Sequence, residues 1–556
     1  MSKIINRIPP LPPAKTWSKH FPSKYLPNSP DRNMIRKSIG RKLLANQSMC
    51  DEFVKSLKIR KDEIIIEGYS GVGNLTRSLL SGGNSLNGAS KLWNPSLSPK
   101  TDQQQEEDQI LSSSSDTIPA KKTKKKSTKK DVTYPSWLED LPTYNQHIPE
   151  QEQSDIKIPN DNNLNNKPKL VVSTEGSLEI LTRSMNYSTK NNSIPLSLTG
   201  REISSDPYTR PVPIIKSSLH ENLYLSHSTV YVWPTLPKIL ENPLIQKHLP
   251  IIQPDLPPGS IESTKRNWDD KEPPITVVCQ LPDSSIGEQL AAQWIGSAVG
   301  DPDQKRTWIW EWGRIRLALL CGKSLYDRIL APPASIIHCK LSILTQALFD
   351  IVPLPPYHHV ANIDKQSKFT HDRPIKPLSE IPPSSIQPNG IPNPSESSCP
   401  SLKEFKLNEH DWSKRTTSYP LDFYPPSTSA QRLIGKPLDR PELLGLLLIP
   451  KVQSPILSSQ KDVWDFVMRR LFVRDTLSLK QALPNLSFGA DTLIKQIEEQ
   501  NDFRGIPVNP ERIIRDLNVH EWLRIVDVFD QWAFKPDNLI LDSGSPDETS
   551  REVGQD

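Results

Sequence analysis

The stretch "IIIEGYSGVGNLTRSLL", residues 64–80, decides the fold of this chain. Its three isoleucines predict a buried strand, Gly71 and Gly73 permit a tight turn, and the apolar spacing that follows predicts a helix. A strand that passes through a glycine loop into a helix is typical of folds that bind a nucleotide-like cofactor. Tyr69 stands where such a loop usually carries its first glycine. The loop is therefore either a cofactor site or a turn kept for the fold alone.

Composition predicts a folded body interrupted by long disordered insertions. The chain has 556 residues with 55 prolines, 35% hydrophobic residues and a mean hydropathy of −0.52, which is too polar for one continuous core. A formal charge of +4 does not by itself indicate a nucleic-acid-binding protein. The densest apolar run, "LLGLLLIP" at 443–450, has the length of a strand, so no membrane span is predicted.

Cysteine usage favours a reduced intracellular compartment. The five cysteines are scattered and no two have the spacing of metal ligands, so neither a metal site nor a disulfide framework is predicted. They are Cys50, Cys279, Cys321, Cys339 and Cys399.

The order of strand, loop, helix, strand, acidic turn, helix and strand predicts parallel pairing, and hence a doubly wound α/β body followed by a smaller helical domain. Proline-, serine- and charge-rich stretches mark the boundaries. The predicted segments are a basic N-terminal segment at 1–33, an α/β domain at 34–351 with a disordered insertion at about 82–166, a Pro/Ser-rich insertion at 352–430, a mainly helical domain at 431–537 and an acidic tail at 538–556.

Two further strand ends carry polar side chains that suit a ligand site. The strand in "VVSTEGS", 171–177, ends at Glu175, where a carboxylate suits the hydroxyls of a ribose or, equally, the dipole of the next helix. The strand in "VVCQLPD", 277–283, places Gln280 and Asp283 at the carboxyl edge of the sheet, where open α/β folds bind ligands.

In this order, these residues resemble the rRNA adenine dimethyltransferases and the mitochondrial transcription factors B of fungal type. The family's cofactor loop reads Glu-x-Gly-x-Gly-x-Gly-x-Leu-Thr, and this chain has "EGYSGVGNLT" at 67–76. "SIGRKLLAN" at 38–46 is similar to the family's Gly-Gln-x-Phe-Leu motif, and "QLPD" at 280–283 stands in the place of its catalytic Asn-Leu-Pro-Tyr. Similar segments continue through "GEQLAAQ" at 287–293 into the C-terminal helices, so that the resemblance covers roughly half of the chain.

The resemblance implies a Rossmann-like class I methyltransferase fold and a site for S-adenosyl-L-methionine. The cofactor-binding positions that it implies are Leu44, Glu67, Tyr69, Gly71, Gly73 and Glu175, and the catalytic turn that it implies is Gln280, Leu281, Pro282 and Asp283. Four departures cluster at this site: Arg41 for glutamine, Tyr69 for glycine, Gln280 for asparagine and Asp283 for tyrosine. Gln280 is one methylene longer than asparagine and Asp283 cannot stack on a base, so the turn is degenerate and cofactor binding is in question.

Two functions follow from the resemblance. The first is a mitochondrial transcription initiation factor of the matrix that binds nucleic acid and assists promoter opening by the mitochondrial RNA polymerase. The second is an active S-adenosylmethionine-dependent dimethyltransferase of mitochondrial small-subunit rRNA adenines, and a third, plainer interpretation is an RNA-binding protein with neither activity. The basic segment 1–33 is either a mitochondrial presequence or a basic tail.

Several other features have both a structural and a nucleic-acid interpretation. Trp308, Trp310 and Trp312 alternate as on one face of a strand, which favours core over a base-stacking platform. The run "KKTKKKSTKK" at 121–130 is a solvated linker or a non-specific tether for polyanions. Three arginines with apolar neighbours are predicted to form a solvated or a phosphate-contacting face: Arg314, Arg316 and Arg328.

Overall fold

The structure is a computed structural model that describes residues 11, 41–86, 167–176, 212–217, 220–257, 260–301, 306–358, 414–426, 436–499 and 501–539. Some predicted features lie outside these residues. They are the N-terminal segment apart from Leu11, most of both insertions, the basic run 121–130, the helix after Glu175 and nearly all of the acidic tail.

Ten strands occur in the described part of the chain, and eight of them form one central sheet. The strands are β1 (Leu43–Leu44), β2 (Ile64–Gly68), β3 (Leu170–Thr174), β4 (Ile214–Lys216), β5 (Leu223–Ser226), β6 (Ile275–Gln280), β7 (Arg316–Cys321), β8 (Phe349–Leu354), β9 (Phe423–Tyr424) and β10 (Leu444–Pro450). The order across the central sheet is β4-β5-β3-β2-β6-β7-β10-β8.

The middle of the sheet is parallel, as predicted. β2 pairs in parallel with β3 on one side and with β6 on the other, so the chain reverses its direction of progress at β2. β10 is antiparallel to both of its neighbours, β7 and β8. This order is that of the class I methyltransferase fold, and the crevice beyond the carboxyl ends of β2 and β6 is its topological switch point.

The strands are apolar because both faces of the sheet are covered. Every residue of β2, β3, β6, β7 and β10 is buried. The helices are α1 (Gln47–Ser56), α2 (Asn74–Ser81), α3 (Thr235–Glu241), α4 (Pro243–Gln246), α5 (Ser285–Gly296), α6 (Lys323–Leu330), α7 (Lys340–Leu348), α8 (Lys461–Phe472), α9 (Leu479–Ala482), α10 (Ile494–Glu498) and α11 (Val519–Asp530).

The C-terminal part is helical, with one difference from the predicted segments. β10, which the sequence places at the start of the helical domain, lies inside the central sheet between β7 and β8. Helices α8 to α11 follow it and pack through aromatic side chains, including a stacked pair of Phe466 and Phe529 with centroids 5.7 Å apart. The domain bounds themselves stay a prediction.

A second, two-stranded sheet joins distant parts of the chain. β1 pairs antiparallel with β9, with Leu43 opposite Tyr424 and Leu44 opposite Phe423. β9 belongs to the stretch predicted as the Pro/Ser-rich insertion. The end of that stretch is therefore ordered on the fold, beside the N-terminal motif.

The described residues contain no helix that is both long and apolar enough to cross a membrane. They also contain no group of three or more His, Cys, Asp or Glu side chains that could hold a metal ion. Four of the five cysteines are described, and they are free thiols.

Candidate functional site

The loop after β2 turns sharply at the carboxyl edge of the sheet. Tyr69, Gly71 and Gly73 all have left-handed backbone angles, with φ of +57°, +58° and +77°. This conformation is natural for glycine and costs roughly 1 kcal/mol or more for a residue with a side chain. Ser70 fastens the loop to β3, since its backbone N–H and its hydroxyl both donate to the carbonyl of Thr174. The loop thus makes a tight turn although Tyr69 stands at a position that favours glycine.

Glu67, at the end of β2, is fully buried and accepts hydrogen bonds from two hydroxyl groups. Its Oε2 accepts from Thr76 Oγ1 at 2.6 Å and from Ser173 Oγ at 2.7 Å, while its Oε1 has no hydrogen-bond partner. Burial raises the pKa of Glu67 to about 7, and the two hydroxyl hydrogen bonds offset part of that rise. Around neutral pH this carboxyl is therefore partly protonated.

Glu175, just beyond β3, is held by an arginine from the N-terminal motif. Arg41 donates from Nη1 to Oε1 at 3.0 Å and from Nη2 to Oε2 at 2.5 Å, and both side chains are 1% exposed. The N–H of Gly71 donates to Oε2 at 2.6 Å. The Arg41 guanidinium also lies 5.1 Å from the centroid of the Tyr69 ring. Two of the four departures from the family thus contact each other over the predicted ribose carboxylate.

The next residues of the same motif fill the rest of this space. The side chain of Leu43 lies directly against Gly71, where a Cβ would collide with it. The backbone N–H of Leu44 donates to Gln280 Oε1 at 2.8 Å. We define the cofactor cleft as the space bounded by Glu67, the loop 69–73, Glu175 and Gln280. Within it, residues 41–44 contact the loop, Glu175 and Gln280.

The predicted catalytic turn lies at the carboxyl end of β6, as the sequence indicates. Leu281 and Pro282 are buried, and the Pro282 carbonyl accepts from the N–H of Ser284 at 2.9 Å. Gly287 in α5 packs directly on that carbonyl, where a Cβ would collide with it. Asp283 points outward against Gly322. The turn is therefore folded against its own helix, with its amide oxygen already used.

The strand next to β3 in the sheet is β5, Leu223–Ser226, which pairs with β3 in parallel. No carboxylate follows it directly. Ser226 Oγ lies 2.8 Å from Ser228 Oγ, and His227 Nε2 lies 2.9 Å from the carbonyl of Gly176. The end of this strand is therefore lined by hydroxyl and imidazole groups.

The residues of the cleft do not fit S-adenosyl-L-methionine. Glu175 is paired with Arg41, the space against Gly71 holds Leu43, and Gln280 accepts from the chain's own backbone. The unpartnered Oε1 of Glu67 is the one feature that suits a ligand donor, and its raised pKa gives it a second explanation as a protonated carboxyl. Leu44, Glu67, Tyr69, Gly71, Gly73 and Glu175 are brought together as predicted, but their role in binding a cofactor stays a prediction.

An open groove adjoins the closed cleft. Val230 packs against Gly68 at the end of β2, and the next three residues, 231–233, face α5. Between them lies a pocket of about 480 Å³, which we call the Trp233 groove. It is lined by Tyr231, Val232, Trp233, Ile286, Gln289, Leu290 and Gln293. None of these residues was predicted from the sequence to form a binding site. The Tyr-Val-Trp run after β5 is the signal that was available.

Trp233 is held in place from one side only. Its ring stacks on the buried ring of Trp308, with centroids 4.4 Å apart and an interplanar angle of 15°. The indole N–H of Trp308 donates to the carbonyl of Trp233 at 2.8 Å. Trp233 itself is 36% exposed, and Gln289 and Gln293 are exposed on the neighbouring face of α5. The groove therefore offers a fixed aromatic surface next to two amides.

The tryptophan triplet is core, as favoured, but the predicted strand is wrong. Residues 308–312 form a 3-10 helix because Trp308 has a φ of +62° and Gly313 a φ of +89°, which break an extended chain. All three indoles are buried. The arginine face is also wrong for two of its members: Arg316 pairs with buried Glu63 at 2.5 Å, and Arg314 donates to backbone carbonyls. Arg328, which is 45% exposed, pairs with Glu288.

Comparison with known proteins gives one sequence relative. No protein-family model matches the chain. Over 252 residues it is 22% identical to the mitochondrial transcription factor 1 of Lachancea kluyveri, a match that spans 45% of this chain and 55% of that protein. The match thus covers about half the length of that relative.

Two solved structures align with most of the chain at low similarity. One is a dimethyladenosine transferase from Plasmodium falciparum, with 11% identity over 88% of this chain and 98% of that chain, at a TM-score of 0.35. The other is the 23S rRNA methyltransferase ErmE, with 8% identity over 88% of this chain and 100% of that chain, also at 0.35.

The strand order, with its antiparallel β10, and the glycine loop after β2 define a protein of the class I methyltransferase fold. Within this fold, the motifs around that loop resemble those of the rRNA adenine dimethyltransferases and of their mitochondrial transcription factor B branch. The similarity to the mitochondrial transcription factor 1 of Lachancea kluyveri agrees with that resemblance.

Proposed function

We propose that this protein is a mitochondrial transcription initiation factor that binds unstacked bases and performs no methyl transfer. The observation that carries the proposal is the contrast at the carboxyl edge of the sheet. The cofactor cleft is filled by Arg41 and Leu43, while the Trp233 groove beside it is open and presents an exposed indole. The mitochondrial transcription factor 1 of Lachancea kluyveri supports the same direction by its name.

The groove has the chemistry of a site for an unpaired base. Because Trp308 covers one face of the Trp233 ring, the exposed surface is available for stacking, and stacking of a base on an aromatic side chain contributes about 1–3 kcal/mol. The amides of Gln289 and Gln293 offer both donors and acceptors to base edges. Ile286 and Leu290 supply an apolar wall.

Binding of this kind assists promoter opening by mass action. A base in a closed duplex is stacked and paired, so the groove binds the melted strand and not the duplex. A ligand site that binds only one state shifts the equilibrium toward that state. The factor would thus stabilise the open promoter while the mitochondrial RNA polymerase, its proposed partner in the mitochondrial matrix, loads the template strand.

The alternative of an active rRNA adenine dimethyltransferase is weaker. It needs Gln280 to accept from an adenine amine, whereas Gln280 Oε1 accepts from Leu44. It also needs a cofactor in a cleft where Glu175 is paired with Arg41. These two contacts favour the transcription factor over the enzyme.

Run-off transcription tests the proposal, with the cognate polymerase and a duplex mitochondrial promoter. We expect the factor to stimulate specific initiation and Trp233→Ala to reduce that stimulation at least tenfold. A template with a pre-melted start site should restore most of the loss, because opening is then already complete. Phe488→Ala is the matched control, since Phe488 is a fully exposed aromatic residue of the C-terminal helices.

Two results would contradict the proposal. One is a wild-type protein that does not stimulate initiation. The other is a Trp233→Ala variant that is as active as wild type on the duplex template.

A further inference from the structure

We propose that residues 41–44 are a built-in occupant of the cofactor cleft, and that the segment 419–425 is a latch that holds them there. This inference goes beyond the proposed function, because it concerns what keeps the cleft closed and not what the groove binds. Its three parts are a charge match, a shape match and an attachment.

The charge match is between Arg41 and Glu175. A carboxylate as buried as Glu175 requires a compensating charge or donors, since an unpaired buried ion is strongly disfavoured. The guanidinium of Arg41 makes a bidentate pair with it, and the N–H of Gly71 adds a further hydrogen bond. The chain thus supplies from its own sequence the polar partner that a ligand would otherwise provide.

The shape match involves Leu43 and Leu44. Gly71 leaves room for close approach to the loop, and the Leu43 side chain fills that room. The Leu44 N–H then satisfies Gln280 at 2.8 Å, and its side chain is 1% exposed in the core. Because Arg41, Leu43 and Leu44 lie within four residues, their three contacts depend on a single backbone path.

The attachment comes from the other end of the Pro/Ser-rich stretch. The carbonyl of Asp422 accepts from the N–H groups of Ala45 and Asn46 at 2.7 and 3.1 Å, and its Oδ1 accepts from Asn46 Nδ2 at 2.8 Å. Lys42 Nζ donates to the carbonyl of Pro425 at 3.1 Å and pairs with Glu442 at 2.5 Å. Phe423, which pairs with Leu44, is fully buried. Residues 41–46 are therefore fixed from outside the cleft.

An occupant of this kind competes with any free ligand as an intramolecular one. A tethered group has an effective concentration that a dissolved ligand does not reach at ordinary levels. A ligand that needs the cleft empty binds with an affinity reduced by the fraction of molecules in which it is empty. The cleft should thus reject S-adenosylmethionine as long as the latch holds.

The latch is tested by amide hydrogen exchange on the full chain. The variant Asp422→Ala with Phe423→Ala removes the side-chain link to Asn46 and the buried ring beside Leu44, both within the latch and outside the cleft. We expect the amides of 43–45 to exchange at least tenfold faster than in wild type, with β2 unchanged. The matched control is Asp465→Asn, which removes a half-exposed surface pair with Lys340. Unchanged exchange at 43–45 would overturn the latch.

The occupant is tested by a double-mutant cycle and a titration. Arg41→Gln and Glu175→Gln should each lower the urea midpoint. The double variant should lose much less stability than the sum of the two single losses, because each single variant leaves the other member of the pair buried and unpaired. Calorimetric titration with S-adenosylmethionine to about 1 mM should show no binding to wild type. Strict additivity, or micromolar binding to wild type, would overturn the occupant. Neither result bears on the transcription assay, so failure here is distinguishable from failure of the proposed function.

Discussion

The cofactor cleft and the Trp233 groove lie side by side at one edge of the sheet, yet they treat ligands in opposite ways. They share a loop: Val230 packs on Gly68 of the cleft, and Trp233, three residues later, lines the groove. In the cleft, Glu175 and Gln280 bond to the protein itself. In the groove, Trp233, Gln289 and Gln293 are exposed. The polar side chains of the cleft are thus buried and paired within the protein, whereas those of the groove face solvent.

The loop after β2 has a packing role of its own. The loop 69–73 now bears part of the structure, because Gly71 contacts both Glu175 and Leu43. Its left-handed backbone angles are retained even at Tyr69, where they are unfavourable. Conserving the shape of a loop therefore serves packing here.

The largest effect on the difference between cleft and groove is expected from replacing Arg41. Arg41→Leu leaves Glu175 buried without its counter-charge, and breaking a buried pair in this way costs about 3–5 kcal/mol in the free energy of unfolding. Urea denaturation followed by tryptophan fluorescence measures the change. The control is Arg328→Leu, which breaks a half-exposed pair with Glu288 and should cost about 1 kcal/mol or less. Equal losses in the two variants would mean that the cleft is not closed by this ion pair.

A second test uses the pH dependence of Glu67. Its pKa is about 7 in the folded protein and near 4.5 when unfolded, so the folded state holds its proton more tightly. Stability from this group is thus present below pH 4.5, falls as the pH rises to about 7 and is constant above that, a loss of about 3 kcal/mol. Glu67→Gln removes this dependence. Urea midpoints of both proteins at pH 5 and pH 7.5 give the difference, and parallel pH curves would refute the assignment.

A third test addresses the open side. Trp233→Ala should weaken binding of a single-stranded DNA oligonucleotide by about 1–3 kcal/mol, because one base loses its stacking partner. Fluorescence anisotropy at fixed salt measures the affinity. Trp233→Phe retains an aromatic face and should keep much of the binding, whereas Phe488→Ala should have no effect. If Trp233→Ala weakened the affinity for duplex DNA as much as the affinity for single-stranded DNA, the groove would not select unstacked bases.

The fold was predictable from the sequence because its signals are local. Runs such as Ile64–Ile66 and Leu446–Ile449 reveal buried strands by themselves. The alternation of strand and helix predicts the parallel pairing of β2, β3 and β6, whereas the place of β10 in the sheet was not predicted. For the site, the sequence predicted its location at the carboxyl edge of the sheet but not the contacts within it. Arg41 and Glu175 are 134 positions apart, and no local pattern shows that a guanidinium replaces a ligand there. The strand predicted for residues 308–312 was wrong for a related reason. Alternation indicates a strand only when the backbone angles permit one, and the φ of +62° at Trp308 does not.

The smallest expected effect concerns the two glutamines of the groove, and it tests whether the groove distinguishes one base from another. Gln289 and Gln293 lie one helical turn apart on α5, on the face that lines the groove. Replacing either with alanine should cost about 0.5–1.5 kcal/mol in oligonucleotide affinity, the contribution of one hydrogen bond. The loss should fall on some homopolymers and not on others, since a base edge is read by donor and acceptor pattern while stacking accepts every base. Gln253→Ala, an exposed amide beyond α4, is the matched control. An equal loss of affinity for all four homopolymers would mean that the groove stacks bases without distinguishing them, and that the two amides do not read base edges.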